Sequence, residues 1–522
     1  MAVMPEWSGA LRARAQRLDS GASRPAASTA LALLLLAGPA AADNLFVAPS
    51  LTWRETYTDN ANFGITAQAQ NDVISELIPS LVLFGVTKNL QVSVNMAVDA
   101  IDYLHGTQPS GLLPTGGVEA RFEGLDQHFF LEAAAAASQG RENIYGATPV
   151  APSTYNVFTT ETYRVSPYFK GELPDQITYL VRSDNMLQRA FGTYATVVDS
   201  RLTMQGIDLD RAPRPFGWGV HGEASQTDYT DSTTPIIEQE LAVGILKVAP
   251  DPQIILSGRG GMEQDNYLLG TGPRAVYGGG LEWHPDDRTS FEALGQRRFY
   301  GTQWDYAFKH REAQLIVTLT GGRDVVTSAQ TVFALPIGGD MAALLDAILL
   351  PTHPDPVERA SAVQAMLAQQ NLPQTLAAGT TIYAAAPVLL TSNKAALTWL
   401  GRRDAISLSG YYMRTEVPPE VSPSYTLVNE SDQNDQYGID LTLTHHLAPN
   451  TSVTADGRMA KIEGIGVASG TYTRQNILTL QLNHALSLRT TGFIGGRMQD
   501  IESNVTPEAR EKAVLAGLSH RF

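Results

Sequence analysis

The chain contains no cysteine. Disulfide staples and thiolate metal sites are therefore excluded. It is also poor in charge: 17% of its residues are Asp, Glu, Lys or Arg, and 37 basic residues face 53 acidic ones. The net charge of −16 argues against nucleic acid and anionic lipid as partners. No apolar run reaches the roughly 20 residues that a membrane-spanning helix requires. The best internal candidate, Met341 to Leu350 (MAALLDAILL), is too short and contains Asp346. Catalytic signatures are missing as well: there is no G-x-S-x-G, H-E-x-x-H or P-loop pattern. His445 and His446 are adjacent, so on a strand they face opposite ways and cannot share a metal. Asp59-Asn60-Ala61-Asn62 offers oxygen ligands at close spacing, without the following Gly and bidentate Glu of a calcium loop. No enzyme activity and no cofactor is expected.

What is present begins with an address. Arg12, Arg14, Arg17 and Arg24 form a positive segment, and Thr29 to Gly38 (TALALLLLAG) forms an apolar one. Ala40-Ala41-Ala42 before Asp43 fits an A-x-A cleavage site, with Ala40 and Ala42 as the small residues. Residues 1–42 read as a cleaved secretory signal, the apolar run being too short for an anchor. Removing the four arginines, Glu6 and Asp19 leaves 33 basic and 51 acidic residues, a net charge of −18.

The remainder, 43–522, repeats one pattern: about ten alternating residues, then a turn. In Leu90 to Ala100 (LQVSVNMAVDA), Leu90, Val92, Val94, Met96 and Val98 share one face, and Gln91, Ser93, Asn95 and Asp99 the other. Tyr437 to His445 (YGIDLTLTH) and Leu478 to Asn483 (LTLQLN) do the same. Period two means strands. Tight turns at Asn89, Pro174, Pro250, Pro285, Gly401, Pro449 and Leu486 alternate with long polar stretches at Asp59–Asn71, Gly106–Pro114, Gln139–Tyr155, Pro418–Asp435 and Gly464–Gly470. Asp324, Asp404, Arg323, Arg402 and Arg403 read as solvated turn residues. Gly278-Gly279-Gly280 lies within a strand and reads as room for a bend or a bulky neighbour, not as a phosphate cradle.

A soluble sandwich of this size would exceed the roughly 250–300 residues that one core supports. The polar faces are Ser, Thr, Asn, Gln, Gly and Asp, which suits a water-filled lumen with lipid on the opposite side. The expected fold is all-β: a closed antiparallel transmembrane β-barrel of about 22 strands, within roughly 16 to 24. Phe46, Trp53, Tyr103, Trp218, Trp283, Trp399, Tyr412 and Tyr437 are expected in interfacial girdles. The final segment, AVLAGLSHRF, alternates with Val514, Ala516, Leu518, His520 and Phe522 on one face. It reads as a closing strand with Phe522 at the periplasmic boundary. Leu518, His520 and Phe522 resemble the terminal signature by which bacterial outer-membrane barrels are recognised for insertion, which makes outer-membrane lipid and the assembly machinery partners.

One segment, Pro336 to Pro387, breaks the pattern. Asp355-Pro356-Val357-Glu358 reads as an N-cap, a Pro at the first helical position and a capping box. Val357, Val363, Met366 and Leu367 follow as an apolar stripe, and a second helix is expected over Met341 to Leu349. By strand parity this insertion leaves the barrel outside the cell. A plain surface loop is one reading; the stripe, which needs a surface to cover it, favours packing on the barrel, on the mouth or within the lumen.

The start of the barrel segment carries a more particular resemblance. VAPSLTWRETYTDNANFG and NDVISELIPSLVLFG are similar to the opening of β-barrel porin-like proteins found with PEP-CTERM/exosortase systems and exopolysaccharide gene clusters. The matching residues are Tyr57-Thr58-Asp59-Asn60 and the element Ile78-Pro79-Ser80-Leu81. ALTWLGRRDAISLSGYYMR resembles a later part of the same family. The resemblance implies a Gram-negative outer-membrane barrel linked to export of a cell-surface polysaccharide, with exopolysaccharide and periplasmic secretion proteins as partners. It supplies no catalytic residues. The expected function is a pore or conduit serving that export, favouring cations if the acidic surplus lines the lumen, with a non-conducting scaffold of a secretion complex as the alternative. A TonB-dependent receptor is weaker, because strands begin near Phe46 without a preceding plug, and a rim lipid hydrolase is weaker still.

Overall fold

A computed structural model describes residues 44–522 except 64–67, 147–155, 192–197, 231–234, 271, 335–339, 351, 370–371, 373–374, 382, 426–432 and 507. Ala40, Ala42 and Asp43 lie outside the described residues. The first strands are β1 (Asn44–Thr58), β2 (Asp72–Val86), β3 (Leu90–Tyr103), β4 (Gly111–Gly124), β5 (Phe129–Arg141), β6 (Val157–Leu173), β7 (Ile177–Phe191) and β8 (Ser200–Arg211). There follow β9 (Phe216–Tyr229), β10 (Ile237–Asp251), β11 (Ile254–Asp265), β12 (Arg274–Asp286), β13 (Thr289–Arg298), β14 (Gly301–Arg311) and β15 (Leu315–Val326). The rest are β16 (Val388–Leu400), β17 (Asp404–Glu416), β18 (Asn434–Ala448), β19 (Thr451–Gly464), β20 (Tyr472–Ala485), β21 (Thr490–Ser503) and β22 (Ala509–Arg521). Between β15 and β16 lie α1 (Ser328–Phe333), α2 (Asp340–Leu349) and α3 (Pro356–Gln369).

Each strand pairs antiparallel with its sequence neighbours, and β22 pairs with β1, from Ser50↔Arg521 to Thr58↔Ala513. The 22-stranded sheet is therefore a closed barrel. No strand is left as an edge, which is what a sheet surrounded by hydrocarbon requires. Among the described residues no helix is long and apolar enough to cross a membrane.

Side-chain alternation is inverted relative to a soluble protein. Leu246, Met262, Ile439, Leu441, Leu478, Leu480, Val514 and Leu518 are exposed on the outer face, while Thr442, Thr444, Thr454, Gln475, Asn483 and Arg497 are buried within. Lipid outside and a polar lumen inside is the arrangement that satisfies both sets. Trp218, Trp283 and Trp399 face outward near one end, and Tyr57, Tyr412 and Tyr437 near the other. Trp53 also faces outward. Phe46 and Tyr103 are not girdle residues: their register turns them inward, and Tyr103 is buried with Ile74 and Ile101.

The two ends differ. At one end the connections are short, such as 87–89, 252–253, 287–288 and 449–450; at the other are 59–71, 142–156, 327–387 and 417–433. We call these the turn end and the loop end. In outer-membrane barrels they face the periplasm and the outside, respectively. One loop-end connection is short, only Phe299 and Tyr300. Some strands run further than their polar residues suggest. β4 begins at Gly111, because Pro114 still pairs with Val98, and β5 extends to Arg141. Arg323 and Asp324 are not turn residues; both lie in β15. Gly278 stands where β13 comes close, and a Cβ there would sit 2.2 Å from the Gly295 carbonyl oxygen. The glycine run therefore serves strand approach, as its place within β12 suggests.

Candidate functional site: a plugged lumen

The insertion begins at Thr327, earlier than its composition suggested. Thr327-Ser328-Ala329-Gln330 is a capping box: the Thr327 hydroxyl accepts from Gln330 N, and the Gln330 side chain accepts from Thr327 N at 2.8 Å. This T-x-x-Q signal was available in the sequence. Gln330 Nε2 also donates to Gln239 Oε1 at 2.8 Å, fixing α1 to the wall near the loop end. From there α1 descends along β6 to β8. Ala329 packs with Met186 and Leu202, and the Arg164 guanidinium lies over the Phe333 ring.

α2 lies at the opposite end of the barrel. Arg311, the last residue of β14 at the turn end, donates from Nη1 to the Ala347 carbonyl at 2.9 Å. Met341, Leu345 and Leu349 of α2 interdigitate with Val363 and Leu367 of α3 and with Leu372. The same cluster takes in Ala405 of the wall, beside the 401–403 turn. The expected stripe thus finds its cover, partly on α2 and partly on the barrel. Asp355 Oδ1 accepts from Val357 N and Glu358 N, so the expected N-cap of α3 is in place. Arg359 bonds Asp346 at 2.7 Å and ties the two helices together. α3 also packs against β1 and β2, which carries the helical pair across the lumen.

The chain then climbs back in steps. Ala377 N donates to Ser409 Oγ at 2.9 Å, midway up β17. Thr380 and Gln436 exchange two bonds: Thr380 N donates to Oε1 at 2.8 Å, and Nε2 donates to Thr380 O at 3.0 Å. The Ala384 carbonyl accepts from Tyr229 Oη at 3.2 Å and Ser328 Oγ at 3.1 Å, back at the loop end. The described residues of 327–387 therefore enter at the loop end, reach the turn end and return. They are neither a surface loop nor a cap on the mouth.

Other loop-end segments fold inward over this plug. Leu268 and Val421 form a bridge between the β11–β12 and β17–β18 connections, and Ser422 N donates to Tyr267 O at 2.8 Å. Tyr267, Leu268, Tyr300 and Tyr229 share an apolar cluster with Val325 and Leu389, the roots of the insertion. Burial pushes the Tyr267 phenol well above its ordinary value, with the Asp265 charge adding to it. Burial and the Asp324 charge push Tyr300 up in the same way. From the β5–β6 connection, the Tyr145 carbonyl reaches across to accept from Thr473 Oγ1 of β20 at 2.7 Å.

No protein-family model and no curated protein matches this chain. Solved structures resemble it. One is the siderophore receptor PirA of Pseudomonas aeruginosa, at 11% identity and a TM-score of 0.42, covering 91% of this chain and 80% of that one. Another is the FrpB iron transporter of Neisseria meningitidis in its apoprotein form, at 10% identity and 0.47, covering 92% and 81%. What those proteins carry says nothing of what this one carries.

The residues singled out from the sequence are not in the plug. Tyr57, Thr58, Asp59 and Asn60 fasten the seam between β1 and β22 at the loop end. Thr58 Oγ1 donates to Glu511 Oε1 at 2.8 Å, Asp59 Oδ1 accepts from Lys512 N at 2.7 Å, and Asn60 Nδ2 donates to the Arg510 carbonyl at 2.9 Å. Tyr57 faces outward opposite Val514. Pro79 also faces outward, and the β2–β3 ladder passes over it, from Leu77↔Ala100 to Ser80↔Ala97, because proline has no N–H to give. Leu518 and Phe522 are exposed on the outer face at the turn end, and Phe522 N donates to Pro49 O at 3.1 Å. His520 bonds Thr490 at 2.9 Å. Among the described residues no group of His, Asp and Glu is arranged to hold a metal. The residues that grip the plug, Arg311, Ser409, Gln436 and Tyr229, were missed. Each looks like an ordinary inward polar residue, and only the path of the insertion distinguishes it.

The wall beside the plug is rich in carboxylates. Glu223, Glu263, Asp265, Asp305 and Asp324 face inward on β9 to β15 around Arg298, which pairs with Glu263. Asp324 accepts from Tyr300 Oη at 2.7 Å and Gln303 Nε2 at 2.9 Å.

Proposed function

We propose that this barrel is a gated conduit of an outer membrane, closed at rest by its own insertion. The observation that carries this reading is the ladder of contacts at Arg311, Ser409, Gln436 and Tyr229, which follows residues 327–387 down the lumen and back. A polar wall behind a removable filling is what a passage needs, and its carboxylates favour cations once it is open. The cargo proposed is an exopolysaccharide chain, and this part rests on the family-like motifs at Tyr57–Asn60 and Pro79. The hydroxyl–imidazole pairs Thr289–His310, Thr451–His484 and Thr490–His520 lie at the turn end, away from the outer rim where a lipid hydrolase would work. They lend no support to that alternative.

The test is planar-bilayer conductance of the intact protein against a variant in which 336–387 is replaced by a short glycine–serine link. The intact protein should be mostly closed and the variant should give large, stable, cation-preferring steps. Equal large steps from both would show that the insertion is no obstacle. Silence from a correctly folded variant would favour the second reading, a scaffold with a blocked lumen, which the same plug also supports.

A further inference from the structure

Four descending strands end in an outward histidine at the turn end: His310 of β14, His445 of β18, His484 of β20 and His520 of β22. Each is held through Nδ1 by the residue directly opposite on the preceding strand. The partners are Thr289 at 2.9 Å, Asp404 at 2.6 Å, Thr451 at 2.9 Å and Thr490 at 2.9 Å. The fifth descending strand of this half, β16, carries Trp399 at that level. With Nδ1 occupied, the free face of the ring is Nε2. His310 Nε2 looks toward Glu312 at 3.8 Å, which leaves His445, His484 and His520 as the open set.

Two further facts make this belt a site rather than a repeat. First, it lies directly below the exposed leucines of β18, β20 and β22, where an apolar band meets water. Second, the adjacent turns reverse the chain's acidic character. Arg402, Arg403, Arg489 and Arg521 are exposed there and have no ion pair among the described residues. Arg489 and Arg521 are joined by a backbone bond of 2.8 Å beside His520. Nε2 of His484 and His520 is free to donate, because their Nδ1 can accept from a threonine hydroxyl, whereas His445, whose Nδ1–H donates to the Asp404 carboxylate, donates from Nε2 as the imidazolium. Such donors, set level with unpaired guanidinium groups at a hydrocarbon boundary, match a phosphate that has acyl chains attached.

We infer that His445, His484 and His520, with the turn arginines, form a binding belt for glycerophospholipid phosphates in the leaflet at the turn end. The overall negative charge argues against such a partner, and locally it does not hold. The belt fixes the height of the barrel in the membrane independently of the plug.

The test uses the full barrel in a neutral glucoside detergent, titrated with phosphatidylglycerol and, separately, with a diacyl glucolipid of equal chain length. Retained lipid is counted by native mass spectrometry. The variant H445N/H484N/H520N keeps an amide where Nδ1 stood and removes Nε2. It should retain phosphatidylglycerol at least about tenfold more weakly, given what several lost hydrogen bonds are worth, with glucolipid unchanged. A second variant, R402Q/R403Q/R489Q, touches only turns and should weaken phosphatidylglycerol in the same sense. Equal retention of both lipids by the intact protein, or undiminished phosphatidylglycerol on folded histidine and arginine variants, overturns the proposal.

Discussion

Loosening the wall's grip without touching the insertion tests how the lumen is closed. The variant is Arg311→Ala, Ser409→Ala and Gln436→Ala together. Arg311 gives one charge-assisted bond to Ala347, Gln436 exchanges two bonds with Thr380, and Ser409 accepts one from Ala377. Taken at about 2, 1.5 and 0.5 kcal/mol, these contacts total about 4 kcal/mol. They lie on β14, β17 and β18 at different depths, so their effects should add. A loss of about 4 kcal/mol from the closed state multiplies the opening constant by about a thousandfold. Water entering the lumen would restore part of it; halving the energy still leaves about thirtyfold. The insertion's own packing around Leu345 is untouched, so the plug stays folded. Single-channel recording should show the triple variant opening far more often, to the same conductance as the variant lacking 336–387. If a heat-modifiable, folded triple variant opens as rarely as the intact protein, these bonds do not hold the gate and the reasoning fails.

A disulfide offers the converse. The chain has no cysteine, so Ala377→Cys with Ser409→Cys introduces a single possible bridge, and oxidation should abolish openings that a thiol reductant restores. Glu511→Ala removes the partner of Arg497, an ion pair at 2.8 Å with both side chains almost fully buried. It should cost about 3–5 kcal/mol and lower the temperature at which the barrel loses its compact gel mobility. The tyrosine pair of the mouth gives a pH prediction. Tyr267 and Tyr300 are both raised above the ordinary value near 10, so the stability they lend is full below that value and is lost as pH climbs beyond it. An ultraviolet titration should find a late-ionising class, and proteolysis within 417–425 should begin only in strong alkali. Removal of Phe522 should slow assembly into membranes, measured as the folded fraction over time, if the terminal residues act as an insertion signal.

Much of the barrel is legible in the chain, since period two is a local property and needs no tertiary information. The strand number and the inverted faces follow from segments such as Leu90–Ala100 and Tyr437–His445. Register is not local, and this is why Phe46 and Tyr103 were misassigned to girdles: aromatic identity does not say which face a residue takes. Asp324 looked like a turn residue beside Gly321-Gly322, yet hydrogen bonds from Tyr300 and Gln303 hold it on the lumen wall. The helices were visible through Asp355 and the 341–349 stripe. Their destination was not, because an apolar stripe specifies that it must be covered and not by what. α1 was missed because six residues show too little periodicity, although the Thr327–Gln330 capping pattern marks its start.

The roots of the insertion are neighbours: Val326 and Val388 face each other in the β15–β16 register. The plug is thus a leash with both ends tied at the same rim, the loop end, which in outer-membrane barrels is the outer one. A pull from outside can withdraw it whole, like a cork on a string. A push from the periplasmic side can drive it outward in the same way. A pull from the turn end has no such route, because the tethers already run the length of the lumen and further travel would unravel the helices. In the conduit proposed above, such a tether would act as a valve that favours outward over inward traffic.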